Sequence, residues 1–110
     1  MIILRNLPKV SLNQWYAGTH WTKRTRLKNI YSKLVKSQCK GLFSKEKAYN
    51  VEWTFYFKRN PLDSSNCVAM AKMIEDIIFE DDRHDIVLSN TYRSRKDKDE
   101  RVEIEVIEVD

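Results

Sequence analysis

The chain has 110 residues, which suits one domain and leaves little room for a second independent core. Hydrophobic residues make up 42% of it, so a packed core is expected and global disorder is excluded. No apolar run approaches the roughly 20 residues of a membrane span, so no membrane partner is expected. Cys39 and Cys67 lack metal-ligand spacing. They favour reduced thiols in a cytoplasmic protein, with a disulfide as the alternative.

The charge is divided unevenly along the chain. Residues 1–50 carry eleven Lys or Arg against one acid, Glu46, a net charge of +10. Residues 51–110 carry nine Lys or Arg against fifteen Asp or Glu, a net charge of −6. A positive block favours a polyanion partner, but a solvated basic helix has the same composition. Charge alone leaves both interpretations open.

The first half of the chain predicts one strand and one helix. Met1–Leu7 predicts a short strand that ends at Pro8. Ser11–Trp21 mixes turn formers with aromatic residues and predicts a loop. Lys23 to about Lys40 predicts a helix that ends at Gly41. Its apolar residues recur at helical spacing: Leu27, Ile30, Tyr31, Leu34 and Val35.

The second half predicts a strand, a helix and two further strands. Val51–Lys58 alternates apolar and polar residues, which is typical of a strand with one buried face. Ser65–Phe79 has an apolar set at helical spacing. Ile86–Ser94 and Val102–Val109 predict two strands joined as a hairpin by the polar segment "RKDKDE". This order predicts an α/β or α+β fold, a small mixed sheet with helices packed on it.

Acidic and polar side chains gather around the second predicted helix. Lys72 and Asp76 lie one turn apart, away from the apolar stripe. Asp63 precedes the helix and Asp82 follows it, and both carboxylates share one site if these two ends meet. Mg²⁺ is usually held by one or two carboxylates with waters and phosphate oxygens. Lys72 would then stabilise charge on a phosphate attacked by a water that the metal activates.

An ordinary interpretation accounts for the same residues. Lys72 and Asp76 form a common i,i+4 pair on a helix surface. Asp63 is a frequent turn residue, and Asp81 and Asp82 are typical loop charges. Spacing alone favours this interpretation over a metal site.

Three segments, taken in chain order, carry a family resemblance. They are "SLNQWYAGTHWTKRTRLKNIY", "NPLDSSNCVAMAKMIEDIIFEDD" and "IVLSNTYRSRKDKDERVEIEVIEV". The first is similar to an Asn-x-x-Tyr loop followed by a basic helix. The second is similar to Asp-x-Asp-Asn, then Lys-x-x-x-Asp, then Asp-Asp, and the third to a closing hairpin. Together they resemble the RusA-type Holliday-junction resolvases, many of them encoded by phages and prophages.

The resemblance implies a function and partners. It implies a single RusA-like nuclease domain over residues 1–110 that forms a homodimer. It also implies Mg²⁺-dependent cleavage of branched DNA, in particular four-way junctions, in recombination and repair, with Mn²⁺ as an alternative metal. The expected location is the cytoplasm of a bacterial or phage-infected cell.

The same resemblance assigns roles by position. Asp63 and Asp82 become metal ligands and catalytic residues, Lys72 the catalytic lysine, and Asp76 and Asp81 further metal-site residues. Ser65 and Asn66 become supporting residues of the motif. The implied DNA-binding residues are Asn13, Tyr16, Lys23, Arg24, Arg26, Lys28, Lys33 and Lys36.

The sequence departs from the family pattern at one position of the motif. The second aspartate of Asp-x-Asp-Asn falls on Ser65, and a hydroxyl is a poorer Mg²⁺ ligand than a carboxylate. Glu75 or Asp76 could then take a ligand role. Two other hypotheses therefore remain: a RusA-like protein that binds branched DNA without cutting it, and a small protein whose basic helix meets an acidic protein partner.

Overall fold

The structure, a computed structural model, describes residues 1–16 and 21–110. Residues 17–20, inside the predicted loop, lie outside the described residues. The strands are β1 (Ile2–Leu4), β2 (Ala48–Phe57), β3 (Val87–Lys96) and β4 (Arg101–Val109). The helices are α1 (Leu12–Tyr16), α2 (Trp21–Gln38) and α3 (Val68–Ile78), and a 3₁₀ turn at Ser64–Cys67 leads into α3. Within the described part of the chain, no helix is long and apolar enough to span a bilayer.

The four strands form one mixed sheet in the order β1-β4-β2-β3, which confirms the predicted α+β fold. β4 is antiparallel to both β1 and β2, and β3 is parallel to β2. The predicted hairpin of β3 and β4 is wrong, because β2 lies between them. Their connection crosses the end of β2, where the Asp97 N–H donates to the Phe57 carbonyl at 3.0 Å. There the Lys58 N–H also donates to a Glu100 carboxylate oxygen at 2.8 Å.

β2 supplies the centre of the core. Its residues alternate between buried and partly exposed along the whole strand, as the sequence pattern predicts. The inward rings of Trp53, Phe55 and Phe57 stack in a row, with centroids 6.2 and 6.3 Å apart. Each large apolar side chain buried here contributes about 1.5–3 kcal/mol.

α3 packs its apolar side on this sheet. Met70, Met73, Ile74 and Ile78 are buried, as their spacing predicts, and Ile77 is half-buried. The α-helix begins three residues later than the predicted Ser65, because residues 64–67 form the tighter 3₁₀ turn.

α2 packs against α3 and buries a narrow stripe. Tyr31 and Val35 are buried, and the Tyr31 hydroxyl donates to the Pro8 carbonyl. Ile30 was predicted in this stripe but is exposed. At its end the Gln38 amide donates to and accepts from the backbone of Arg5, which ties α2 to the end of β1.

The predicted loop at Ser11–Trp21 is wrong over two parts of its length. Leu12–Tyr16 is helical, and Trp21 already begins α2. The Gln14 N–H donates to the Ser11 hydroxyl, and the Ser11 N–H donates to the Gln14 side chain, both at 3.0 Å. This reciprocal pair is a capping box, which starts a helix despite the turn formers nearby.

Replacement of a central ring should test the packing of β2. Phe55→Ala removes a fully buried ring and is expected to lower the free energy of unfolding by about 3–5 kcal/mol. Thr54→Ala, its neighbour on the other sheet face, should change it by about 0.5 kcal/mol or less. Urea unfolding measures both variants. Equal losses would contradict a one-sided core.

Candidate functional site

Three carboxylates converge on one lysine at the surface of α3. The Lys72 Nζ donates to Asp82 Oδ2 at 2.6 Å and lies 3.6 Å from Asp76 Oδ1 and 3.8 Å from Glu75 Oε1. Glu75 and Asp76 are three and four residues from Lys72, so helix geometry alone places them beside it. We call these four residues the Lys72 cluster. It joins three of the positions singled out in the sequence, Lys72, Asp76 and Asp82.

The segment after α3 brings Asp82 to the cluster. The Phe43 N–H donates to the Ile78 carbonyl at 2.9 Å, and the Glu80 N–H donates to the Phe43 carbonyl at 3.0 Å. The rings of Phe43 and Phe79 pack with centroids 5.2 Å apart. Phe43, in the chain before β2, is therefore bonded to the residues before and after Phe79, at the end of α3. Asp82 thus lies close to the helix it follows.

Glu75 forms the buried base of the Lys72 cluster. Its side chain is 7% exposed, against 59% for Lys72 and 51% for Asp76. Burial raises the pKa of Glu75 to about 7, with a further rise from the Asp82 carboxylate, while the Lys72 charge opposes it. Near neutral pH this carboxyl group is thus poised between its two protonation states.

The outer members of the cluster respond to one another. The hydrogen bond between Lys72 and Asp82 raises the pKa of Lys72 and lowers the pKa of Asp82. Partial burial raises the pKa of Asp76, and the Lys72 charge opposes that rise. Asp82 is therefore the carboxylate most firmly held in its charged form.

Asp63 lies in a separate open cleft of about 360 Å³ between the 3₁₀ turn and β3. Tyr92 also lines this cleft, and its ring stacks on Trp53 with centroids 6.3 Å apart. Burial raises the pKa of Tyr92, and the Glu75 charge adds to the rise, so Tyr92 interacts with the Lys72 cluster as well. The cleft is lined by Pro61, Leu62, Asp63, Ser64, Tyr92, Arg93, Ser94 and Arg95.

The other motif residues, Asp81, Ser65 and Asn66, have their contacts outside the Lys72 cluster. Asp81 accepts from the Arg83 N–H at 3.0 Å and forms an ion pair with its guanidinium at 3.0 Å, so it serves the turn before β3. Ser65 is exposed in the 3₁₀ turn, and the Asn66 N–H donates to the Asp63 carbonyl at 2.8 Å. The turn therefore keeps Ser65 and Asn66 beside Asp63.

Carboxylates are the ligands that Mg²⁺ prefers, and the Lys72 cluster and Asp63 supply only such donors. Over residues 1–16 and 21–110, however, no three His, Cys, Asp or Glu side chains are arranged to hold a metal ion. The carboxylates of the cluster instead surround the Lys72 ammonium. A cation is thus already favoured at their common centre.

The basic residues of α2 form an open cationic surface. α2 packs on α3, so this surface adjoins the helix that carries the Lys72 cluster. No ion pair within the described ranges involves any of its six cations. The six are Lys23, Arg24, Arg26, Lys28, Lys33 and Lys36. Arg24 is half-buried and the other five are exposed.

α1 lies beside the start of this surface. Asn13 and Tyr16 are exposed, while Trp15 packs against the core. The Arg24 guanidinium lies 5.6 Å from the Trp15 ring centroid and 5.8 Å from that of Tyr16. Tyr16 of α1 and Arg24 of α2, both predicted DNA-binding residues, are therefore neighbours.

The sequence analysis did not predict the positions of two residues of the site, Glu75 and Tyr92. Glu75 was considered only as a substitute ligand, although its spacing from the buried Ala71 and Ile78 indicates an inward position. Tyr92 carried no motif. The sequence feature that could have indicated Tyr92 is its position in a strand that follows the acidic segment.

Comparisons of the chain with protein-family models, with curated proteins and with solved structures return no match. The resemblance to RusA-type resolvases therefore stays a prediction, carried by the residues themselves.

The buried carboxyl group predicts a specific pH dependence. The pKa of Glu75 rises from 4.5 to about 7 on folding, so the folded state binds this proton more tightly. The free energy of unfolding should then fall as pH rises from about 4.5 to 7, by on the order of 2–3 kcal/mol. Glu75→Gln should lack this fall, whereas the exposed Glu46→Gln should keep it. Urea unfolding at pH 5 and pH 8 measures it, and identical slopes in wild type and Glu75→Gln would contradict the assignment.

Proposed function

We propose that this protein is a metal-dependent endodeoxyribonuclease of the RusA type that cleaves branched DNA such as four-way junctions. One observation carries the proposal: Asp82, from outside the helix, joins Glu75 and Asp76 around Lys72. Helix spacing explains why Asp76 and Glu75 lie beside Lys72, but it does not explain the burial of Glu75 or the third carboxylate, Asp82, from another segment. Such grouping and a strongly perturbed pKa are typical of functional sites.

In the proposed site, Asp82 and Asp76 hold Mg²⁺, with Glu75 as a further oxygen donor. When bound, Mg²⁺ supplies positive charge against the phosphate oxygens and lowers the pKa of a water. Lys72, which donates to Asp82 in this structure, would pair with the phosphate and stabilise the charge that builds in the transition state.

Asp63 supports the same site from the other side of Tyr92. Its cleft contains Arg93 and Arg95, which suit a phosphate next to the one that is cut. Asp63 remains the proposed first ligand of the family motif.

The cationic surface of α2 supports a DNA substrate. Lys and Arg contacts to phosphates position DNA and give affinity without reading its sequence. α2 packs on α3, the helix that carries the Lys72 cluster, so a DNA strand bound along α2 would lie near that helix. We propose a homodimer as the active form, because a two-fold axis presents two identical sites to two opposed strands.

A second candidate function is favoured by Ser65. With a hydroxyl in place of the second motif aspartate, the protein would bind branched DNA without cutting it. Cleavage of a four-way junction and a matched linear duplex, with Mg²⁺, Mn²⁺ or a chelator, separates the two. Metal-dependent cutting of the junction supports the nuclease, and tight binding without cutting in either metal supports the binder.

Asp82→Asn should separate cleavage from binding. The variant removes the most firmly charged carboxylate, so cleavage should fall by at least about 100-fold, because metal catalysis is worth several kcal/mol. Junction binding in chelator should be unchanged, since α2 is untouched. Asp85→Asn, at an exposed neighbouring acid, is the matched control and should cut normally. Normal cleavage by Asp82→Asn would remove Asp82 from the mechanism.

Ser65→Asp should restore the missing carboxylate. We expect the Mg²⁺ concentration needed for half-maximal cleavage to fall about fivefold, because one more charge near the metal is worth about 1 kcal/mol at a solvated site. Ser64→Asp places the same charge on the adjacent exposed residue and should have a smaller effect. Equal effects of both variants would show a general field, and no effect of either would show that the motif register is wrong.

A further inference from the structure

We infer that the Tyr16 ring is a stacking platform for one unpaired DNA base, placed at the junction of α1 and α2. The inference rests on the proposed function and adds a feature of its substrate: a base that is not paired, as occurs where DNA branches or is single-stranded.

The exposure of Tyr16 is the first observation. Its residue surface is 67% exposed, whereas the adjacent Trp15 packs on the core. The exposed ring offers a flat apolar face to solvent, and every base offers a flat face that can stack on such a ring.

The second observation is the group behind the ring. The Arg24 guanidinium carbon lies 5.8 Å from the Tyr16 ring centroid, and an Arg24 N–H donates to the Tyr16 carbonyl at 3.5 Å. The same guanidinium lies over Trp15, where Lys28 Nζ is also 5.9 Å from the ring centroid. Arg24 thus fixes Tyr16 against the core and lies on one face of its ring, and the high exposure leaves ring surface for a base.

The third observation is the location. α1 packs on both the 3₁₀ turn and α3, so Tyr16, the last residue of α1, lies near the start of α3, on the side where Asp63 is found. The chain before Glu46 contains no acid, and Arg24 and Lys28 lie beside the rings of α1, so a phosphate attached to the base has cations within reach. Charge complementarity therefore favours a nucleotide over an apolar peptide as the occupant.

The test measures binding in chelator to a labelled 15-nucleotide dT strand and to a 15-base-pair duplex. Tyr16→Leu keeps apolar bulk but removes the ring, and it should weaken binding to the single strand about tenfold, with duplex binding within about twofold of wild type. Tyr16→Phe keeps the ring and should bind both as wild type does.

The matched control is another tyrosine that packs on an arginine. Tyr56 lies 3.8 Å from the Arg101 guanidinium carbon on the other face of the sheet, and Tyr56→Leu should leave binding to both DNAs unchanged. A 2-aminopurine base in the single strand gives a direct readout: its fluorescence should be quenched by wild type and Tyr16→Phe, and not by Tyr16→Leu.

Unchanged single-strand binding by Tyr16→Leu, or an equal loss on both DNAs, would overturn the inference. If wild type still cuts junctions in that case, the proposed function stands and only the stacking platform is lost. If wild type binds neither DNA, the stacking platform is lost, and both proposals fail if wild type also leaves four-way junctions uncut.

Discussion

The parallel pairing of β2 and β3 determines where the candidate site lies. Two parallel neighbours require a crossover connection, and here the connection contains α3, which packs on the helix-covered face of the sheet. The chain must then return from the end of α3 to the start of β3. That return passes the helix it has just left, which is why Asp82 meets Lys72. The grouping of charges is thus a consequence of strand order.

The electrostatics of the Lys72 cluster follow from the same packing. Three acids share one lysine, so the fully ionised cluster has a net charge of −2. Burial makes this charge costly, and the rise in the pKa of Glu75 to about 7 is one response of the protein. Such a site repels a phosphate until further positive charge arrives. If the partner is DNA, as proposed, the cationic residues of α2 would attract it at longer range despite the local repulsion.

Local patterns predicted the elements of this fold, and long-range contacts decided the rest. Alternation in β2 and helical spacing in α2 and α3 are properties of neighbouring residues, so the elements were found with modest shifts of their ends. Strand order depends on which strands pair with the two edges of β2, and these contacts join residues far apart in sequence, so the hairpin prediction failed. The Ser11–Gln14 capping box was visible in the sequence but was masked by the aromatic and turn-forming residues around it.

The candidate site shows the same division. The i,i+4 relation of Lys72 and Asp76 is local, and it was predicted. The approach of Asp82 was a hypothesis about two element ends, and the structure joins Asp82 to Lys72 while Asp63 lines the cleft at Tyr92. The spacing of Glu75 from Ala71 and Ile78 places it on the covered side of α3, but acidic side chains are rarely buried, so this burial was not predicted.

The position of β4 between β1 and β2 makes the sheet depend on contacts between distant parts of the chain. Ile2 pairs with Ile104, so β1 has its sheet partner in a segment far away in sequence. Contacts this far apart in sequence form slowly, because a long loop must close first. Until β4 inserts, one edge of β2 also lacks a neighbour, and its unpaired N–H and C=O groups are open to pairing with other chains. The sheet is therefore open to aggregation until β4 is in place.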